Sequence, residues 1–216
     1  MSNILKSVKL DFSLVRPYVK TICFTMVLPA VFAAINRSLL TGISFAMCFI
    51  AMTSGYTFSI TEKNDMERLY GILPVRKSEL VVGRYVFIII MGLLALMFSL
   101  ITHPVILSSL GETVSAFDIA FAAAVGIFLF ALYTVFQLPG YYKFGSIKGR
   151  VFMYIPVAGF LATLFLITKI PADGSGWFIT VFSSPVMLVL WAAFLVVIMY
   201  VISILASVKI VQGKEL

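Results

Sequence analysis

The chain has 216 residues, of which 62% are apolar and only 12% charged, and its mean hydropathy is +1.10. Soluble domains carry roughly one-quarter charged residues, so the composition excludes an ordinary water-soluble fold and indicates an integral membrane protein. The net charge of +7 does not point to nucleic acid, because the basic residues flank apolar runs, where anionic lipid and the positive-inside rule account for them.

The apolar runs approach or exceed the ~20 residues a helix needs to cross hydrocarbon, and strand-like alternation is missing. The expected fold class is therefore all-α, a single transmembrane domain over residues 1–216 with six spans. Residues 1–16, MSNILKSVKLDFSLVR, hold no continuous apolar core or small-residue cleavage site, so they do not read as a signal peptide. Instead Ile4, Leu5, Val8, Phe12 and Val15 share one helical face, with Lys6, Lys9, Ser13 and Arg16 elsewhere, which predicts an interfacial helix over 1–17. Pro17 separates it from the first span.

The six spans are expected at about 18–35, 39–60, 81–102, 117–138, 151–170 and 186–208. From Val81 to Leu110 the apolar pattern lasts thirty residues, about 45 Å as one helix and too long for the bilayer without strong tilt. Pro104 is expected to break it. The run from Phe178 to Val208 is also too long, and Pro185 stands where a span of normal length begins. Residues 171–185 then read as a short helix or re-entrant piece at the outer surface, shielded by protein.

With both termini inside, the cytoplasmic segments hold fourteen of the sixteen Lys and Arg residues, and only Arg37 and Lys169 fall outside. The positive-inside rule favours this orientation over its inverse and predicts a multi-pass protein of a bacterial-type cell membrane. The middles of the six spans contain no Asp, Glu, Lys, Arg or His, a poor basis for transport driven by an ion gradient through side-chain carboxylates. His103, the only histidine, precedes Pro104 near the outer interface, and no metal constellation or nucleophile–base spacing surrounds it. Ser54, in TSGY at 53–56, has no dyad partner near it in sequence. Cys23 and Cys48 lie in apolar runs and read as buried free thiols. Gly42 with Ala46, Ala51 with Gly55 and Ser59, and Ala120 with Ala124 have small-xxx-small spacing, which suits intrachain packing or a subunit interface. No GxxxxGK[ST] phosphate loop is present, so ATP-driven work requires a partner chain.

One segment departs from this apolar background. TEKNDMERLYGILPVRKSELVVGRY, residues 61–85, carries nine charges in twenty-five residues. Met66, Leu69, Tyr70 and Leu73 recur at i, i+3, i+4 and i+7, an apolar stripe on a helix whose other faces carry Glu62, Lys63, Asp65, Glu67 and Arg68. Lys63 with Glu67, and Asp65 with Arg68, are spaced to pair along it. Gly71 and Pro74 end the helix and turn the chain toward the next span. Such an elbow, on the cytoplasmic side between spans two and three, needs a surface on which to bury its stripe.

EKND followed by LPVRKSELVVGRY resembles the small six-span permease subunits of type-2 ABC exporters. In that family an acidic-led stretch leaving span two precedes a Leu-Pro-Val element and a segment ending Gly-Lys/Arg-Tyr; here the positions are Glu62, Leu73, Pro74, Val75, Gly83, Arg84 and Tyr85. The family commonly has Ser or Thr after Pro-Val, whereas this chain has Arg76, and Ser78 is expected to cap the third span instead.

The resemblance implies a coupling helix near 63–77 that seats in a groove of a separate nucleotide-binding subunit. Met66, Leu69, Tyr70 and Leu73 would supply the anchor. Glu67, Pro74 and Val75 would complete the docking surface, and Arg68, Arg76 and Lys77 would steer it against acids on the partner. It further implies a dimer of identical or related permeases with two ATPase subunits, no cofactor on this chain, and ATP with Mg on the partner. Spans one, two and five would line the path, and their apolar content with scattered hydroxyls and aromatics favours amphipathic cargo. Small members of this kind resemble exporters of peptide toxins and antimicrobial-peptide immunity permeases, with lipids and drugs as other cargo classes. A second reading is an ATPase-independent immunity protein that sequesters a peptide in the membrane. A third is a membrane enzyme using Ser54 and His103.

Overall fold

A backbone that crosses hydrocarbon has to satisfy its own N–H and C=O groups, and this chain does so with helices. The computed structural model describes residues 3–66, 75–159 and 185–213, with side chains omitted at 185–192. Among them every regular element is helical and there is no strand. Five helical runs are long and apolar enough to cross a membrane: Asn3–Asn36, Leu39–Lys63, Lys77–Ser109, Ala116–Gly159 and Ala193–Gln212.

The first run is three helices end to end. α1 (Asn3–Val15) passes through a 3-10 turn at Arg16–Tyr18 into α2 (Val19–Thr25), and a break at Met26 leads to α3 (Val27–Asn36). Pro29 explains the break at Met26, since its ring takes away the N–H that the Thr25 carbonyl would accept. Arg37 then adopts a left-handed conformation (φ 47°), and extended Ser38 accepts a hydrogen bond from the Thr41 N–H to start α4 (Leu39–Lys63). Beyond the following connection come α5 (Lys77–Ser109), α6 (Ala116–Lys148), a 3-10 turn at Gly149–Met153 and α7 (Pro185–Gln212). A reciprocal capping box between Ser115 and Asp118 opens α6.

Several expectations are corrected here. Pro104 does not break the third helix: α5 continues through it for 33 residues, because a single lost N–H leaves the turns on either side hydrogen-bonded. α6 likewise continues past Pro139 and kinks instead at Gly145, whose φ of 78° only glycine adopts easily. In the charged segment Glu62 and Lys63 belong to the last turn of α4, not to a separate helix. Asn64 ends that turn by donating its side-chain amide to the Ile60 carbonyl, and Asp65, one of the few residue types at ease there, takes a left-handed φ of 49°. Cys23 is exposed and Cys48 half-buried, both free, because they sit on the outward sides of α2 and α4. The rest of the expected 151–170 span beyond residue 159, and the 171–185 surface piece up to residue 184, lie outside the described residues.

α4 is the hub. It packs most extensively on α6 and also meets α1, α3 and α5, through a buried face that includes Ile43, Ala46, Met47, Ile50, Ala51, Ser54 and Phe58. Small residues permit this closeness, but not all those expected. A Cβ on Gly42 would lie 2.5 Å from the Ala33 methyl, and one on Gly55 would lie 2.8 Å from the Tyr141 hydroxyl, so these two serve contacts within the chain. On α6 the buried small pair is Ala122 and Gly126, while Ala120 is exposed. The 120/124 spacing has the right period on a neighbouring face.

At Gly126 a Cβ would fall 2.9 Å from Ile43 and 3.0 Å from Met47. Gly126→Leu is therefore expected to wedge α6 off α4 and to cost about 1–3 kcal/mol. Thermal unfolding of the detergent-purified chain should show a midpoint several degrees lower, and a wild-type midpoint would contradict this account of the α4–α6 contact.

Candidate functional site

The end of the bundle that carries Lys63, Lys77, Lys143 and Lys148, here the basic end, holds the two flanks of the charged segment. Of the residues singled out from sequence, Glu62, Met66, Val75, Arg76, Lys77, Gly83, Arg84 and Tyr85 are described, while Glu67, Arg68, Leu69, Tyr70, Leu73 and Pro74 lie outside the described residues. Met66 returns to helical backbone and is half-buried; Val75 and Arg76 are non-helical and lead into α5.

The cap of α5 differs from expectation. Arg76, not Ser78, is the N-cap residue, and the Glu79 carboxylate accepts from the Arg76 N–H at 3.2 Å, the returning half of a capping box. The same carboxylate oxygen accepts from the Asn3 side-chain amide at 3.1 Å, which ties the beginning of α1 to the beginning of α5.

Three consecutive residues of α5 then face three different helices. At Gly83 a Cβ would stand 2.6 Å from Ser7, so the absence of a side chain lets α1 lie directly on α5. Arg84, 6% exposed, donates through Nη2 to Asp11 Oδ1 (3.2 Å) and Thr61 Oγ1 (3.1 Å), and through Nε to Asp11 Oδ2 (3.4 Å). Its guanidinium carbon sits 4.7 Å from the centre of the Phe58 ring. One cation thus joins α1, α4 and α5. Tyr85, 1% exposed, meets Ser203 Oγ at 2.7 Å and Ser207 Oγ at 2.8 Å on α7. Because the Ser203 hydroxyl donates to the Val135 carbonyl on α6, the Tyr85 proton is directed to Ser203 and the tyrosine oxygen accepts from Ser207.

Glu62, at the other flank, accepts from the Ser146 N–H at 2.8 Å, immediately beyond the Gly145 kink. It links the end of α4 to the last turn of α6, beyond the kink. Between these groups opens a cleft of about 360 Å³. Phe58, Leu80, Val81 and Val211 form its apolar wall; Thr61, Tyr141 and Ser146 add hydroxyls; Lys77, Lys143, Arg84 and Glu62 add charge.

Asp11 escaped the reading of the sequence, which assigned α1 by its apolar stripe. The buried face is Ser7, Val8, Asp11 and Val15, with Leu5 and Phe12 outward. The available signal was an acid alone among lysines on an otherwise basic helix. Gln137 was also missed. It is fully buried on α6, where its carbonyl accepts from Ser54 at 3.3 Å and its amide nitrogen has no partner among the described residues. Ser54 is thus a packing contact to α6, and His103, 1% exposed with an Nδ1 that has no partner among the described residues, lies on the far part of α5.

The sequence matches the family described as ABC-2 family transporter protein over residues 8–212, from within α1 to the last residue of α7. The chain belongs to that family. No curated protein and no solved structure matches it. This ABC-2 permease is a multi-pass membrane transport subunit and not itself the ATPase, and permeases of the family generally work with an ATPase subunit.

In this permease the buried ion pair generates a sharp expectation. Asp11→Ala strands a charged guanidinium among helices and should cost about 3–5 kcal/mol, whereas the neutral pair Asp11→Asn with Arg84→Gln should be much milder, because neither partner is left as a lone charge. Thermal unfolding of the single and double variants checks this, and equal losses in both would show that the pair is not the anchor.

Proposed function

We propose that this chain is the permease subunit of an ATP-driven exporter whose segment from Glu62 to Lys77 docks on a separate nucleotide-binding subunit. In this reading the basic end faces the cytoplasm of a bacterial-type cell, with both termini on that side. The observation that carries it, beyond family membership, is the frame around the segment. Glu62 holds its entry to the last turn of α6, and Arg76, Gly83, Arg84 and Tyr85 hold its exit to α1, α4 and α7. A solvated loop has no need of so many fixed attachments, while a handle that transmits force does.

Met66, Leu69, Tyr70 and Leu73 supply the buried anchor, with Glu67, Pro74 and Val75 beside them. Arg68, Arg76 and Lys77 set register against acids of the partner. The working assembly is two six-span permeases, identical or related, with two ATPase subunits that bind ATP and Mg; closure of the ATPase pair swings the segment and opens the membrane dimer outward. The cargo is amphipathic, a peptide toxin or antimicrobial peptide in first place and a lipid or drug otherwise, because the expected path offers apolar surface with scattered hydroxyls and aromatics.

Co-expression of the chain with nucleotide-binding ABC ATPases from its own genome provides the test. Leu69→Asp and Leu73→Asp should abolish co-purification of the ATPase and stimulation of its hydrolysis, while the permease remains folded by thermal unfolding. Unchanged complex and stimulation in both variants would remove the docking assignment, and transport by the permease alone in nucleotide-free vesicles would instead favour an ATPase-independent protein.

A further inference from the structure

The chain turns a second time at the basic end, after α6, and that bend is packed as closely as the interior. A Cβ on Gly140 would stand 2.6 Å from the Phe152 ring and one on Gly149 would stand 2.6 Å from the Tyr141 ring, so the 3-10 turn at Gly149–Met153 folds directly back on α6. The Phe144 and Phe152 rings stack with centroids 5.3 Å apart. Glu62 ties the bend to α4 by accepting from the Ser146 N–H. What this frame turns outward is apolar. Ile147 is 77% exposed, the most of any large apolar side chain among the described residues, Val151 is 64% exposed, and Phe144 and Tyr154 are exposed with them.

The charges among those side chains have one sign. Lys143, Lys148 and Arg150 are all exposed, and no Asp or Glu occurs between Asp118 and Asp173. Neither Lys148 nor Arg150 joins an ion pair among the described residues. Glu62 brings one carboxylate to the bend at Ser146, against three basic side chains. The same contact sets the level of the bend. α4 has 25 residues, about 37 Å at 1.5 Å per residue against roughly 30 Å of hydrocarbon, so Glu62 in its last turn, and Ser146 with it, stand among the headgroups.

We propose that this bend is an interfacial anchor, with Ile147, Val151 and Tyr154 set in the boundary between headgroups and acyl chains and Lys143, Lys148 and Arg150 against the phosphates of an anionic leaflet. Apolar and aromatic crests interspersed with cations at headgroup level are what a lipid surface selects, since the basic stems lie along the hydrocarbon while their heads reach the phosphates. In water the same side chains would have nothing to cover them. A folded protein partner is the weaker fit, because the bend offers charge of one sign on apolar crests at the depth that lipid already occupies. Anchoring has a consequence through Glu62. That residue joins the bend to the entry of the charged segment, so leaflet charge bears on the position of the segment. The bearing on docking rests on the function proposed above; the anchoring rests only on the chain crossing a membrane.

The test places an environment-sensitive fluorophore on the full-length chain, reconstituted in vesicles of phosphatidylglycerol or of phosphatidylcholine. With Cys23→Ala and Cys48→Ala as background, Ile147→Cys, Val151→Cys and Lys148→Cys are labelled one at a time, and only variants monodisperse by size exclusion are compared. In phosphatidylglycerol the probes at 147 and 151 should be quenched by nitroxide-labelled lipid and shielded from aqueous iodide, while the probe at 148 remains open to iodide. Lys148→Gln and Arg150→Gln, added to Ile147→Cys, should lower the ratio of buried to exposed probe about fivefold for each charge removed. Phosphatidylcholine should have a similar effect without any substitution. Equal access of iodide to 147, 151 and 148 in phosphatidylglycerol overturns the anchor, as does burial that neither the lipid charge nor the two Gln substitutions alters. Shielding that appears only when an ABC ATPase is added would assign the surface to a protein and overturn the lipid reading. Because the vesicles otherwise hold no nucleotide or partner, a failure here leaves the permease reading intact, and loss of that reading leaves the anchor intact.

Discussion

A guanidinium remains ionised under all ordinary conditions, and Arg84 places one where only 6% of the residue is exposed. That fact constrains the whole basic end. An uncompensated charge there is too costly to keep, so an anion has to be delivered to it, and the anion comes from a helix that composition alone would have left floating on the membrane surface. Delivery of Asp11 requires α1 to lie against α5. That contact in turn requires Gly83, because any side chain there meets Ser7. Thr61 completes the coordination from α4 and donates its own hydroxyl to the Thr57 carbonyl, so the third helix is drawn in as well.

Elsewhere the bundle is held by weaker means of the same kind. In a bilayer, burying apolar side chains against each other gains little over burying them against lipid, and helices associate through close packing and interhelical hydrogen bonds of roughly 0.6 kcal/mol each. The structure distributes such bonds along the interior. Tyr200 meets Thr134 at 2.7 Å, Ser203 reaches the Val135 carbonyl, Tyr85 bridges to Ser203 and Ser207, and Ser54 reaches Gln137. No single one fixes the arrangement. Together they set the rotation of α7 against α5 and α6, which small-residue packing leaves loosely defined.

The fold class was legible because hydropathy is a coarse and strong signal: long apolar runs, few charges and clustered basic residues admit little but a helical membrane protein. Helix ends were less legible. Proline reads as a breaker in sequence, yet Pro104 and Pro139 both sit inside helices, since within a bundle the lost hydrogen bond is local and the flanking turns are held by neighbours. Conversely the break at Met26 and the kink at Gly145 left little trace in the hydropathy pattern. For the candidate site, Glu62, Gly83, Arg84 and Tyr85 were legible as a motif but not as a mechanism. Their partners Asp11, Thr61, Ser146, Ser203 and Ser207 lie between 23 and 122 positions away in the chain, and no periodicity in one segment encodes which distant hydroxyl will face it. Asp11 shows the cost of reading a helix by its apolar stripe alone, since its buried face was centred on the charge.

The two long helices differ in how they are held at the basic end. α5 keeps helical backbone from Lys77 to Ser109, roughly 50 Å at 1.5 Å per residue. Near one end three successive side-chain positions fix it to α1, α4 and α7; toward the other, His103 packs where a Cβ on Gly42 would lie 3.2 Å from its Nδ1. The backbone stays helical through Pro104 as far as Ser109, and α5 packs on α3 and α4 along the way. α6 has a joint. Gly145 swings the chain at φ 78°, and the residue beyond it is held by Glu62 from the end of α4. The entry of the charged segment is thus attached to the last turn of α6, while its exit is continuous with α5. The two flanks of the charged segment are also tied to each other, since Arg84 of α5 is fixed to Asp11 and to Thr61 in the last turn of α4.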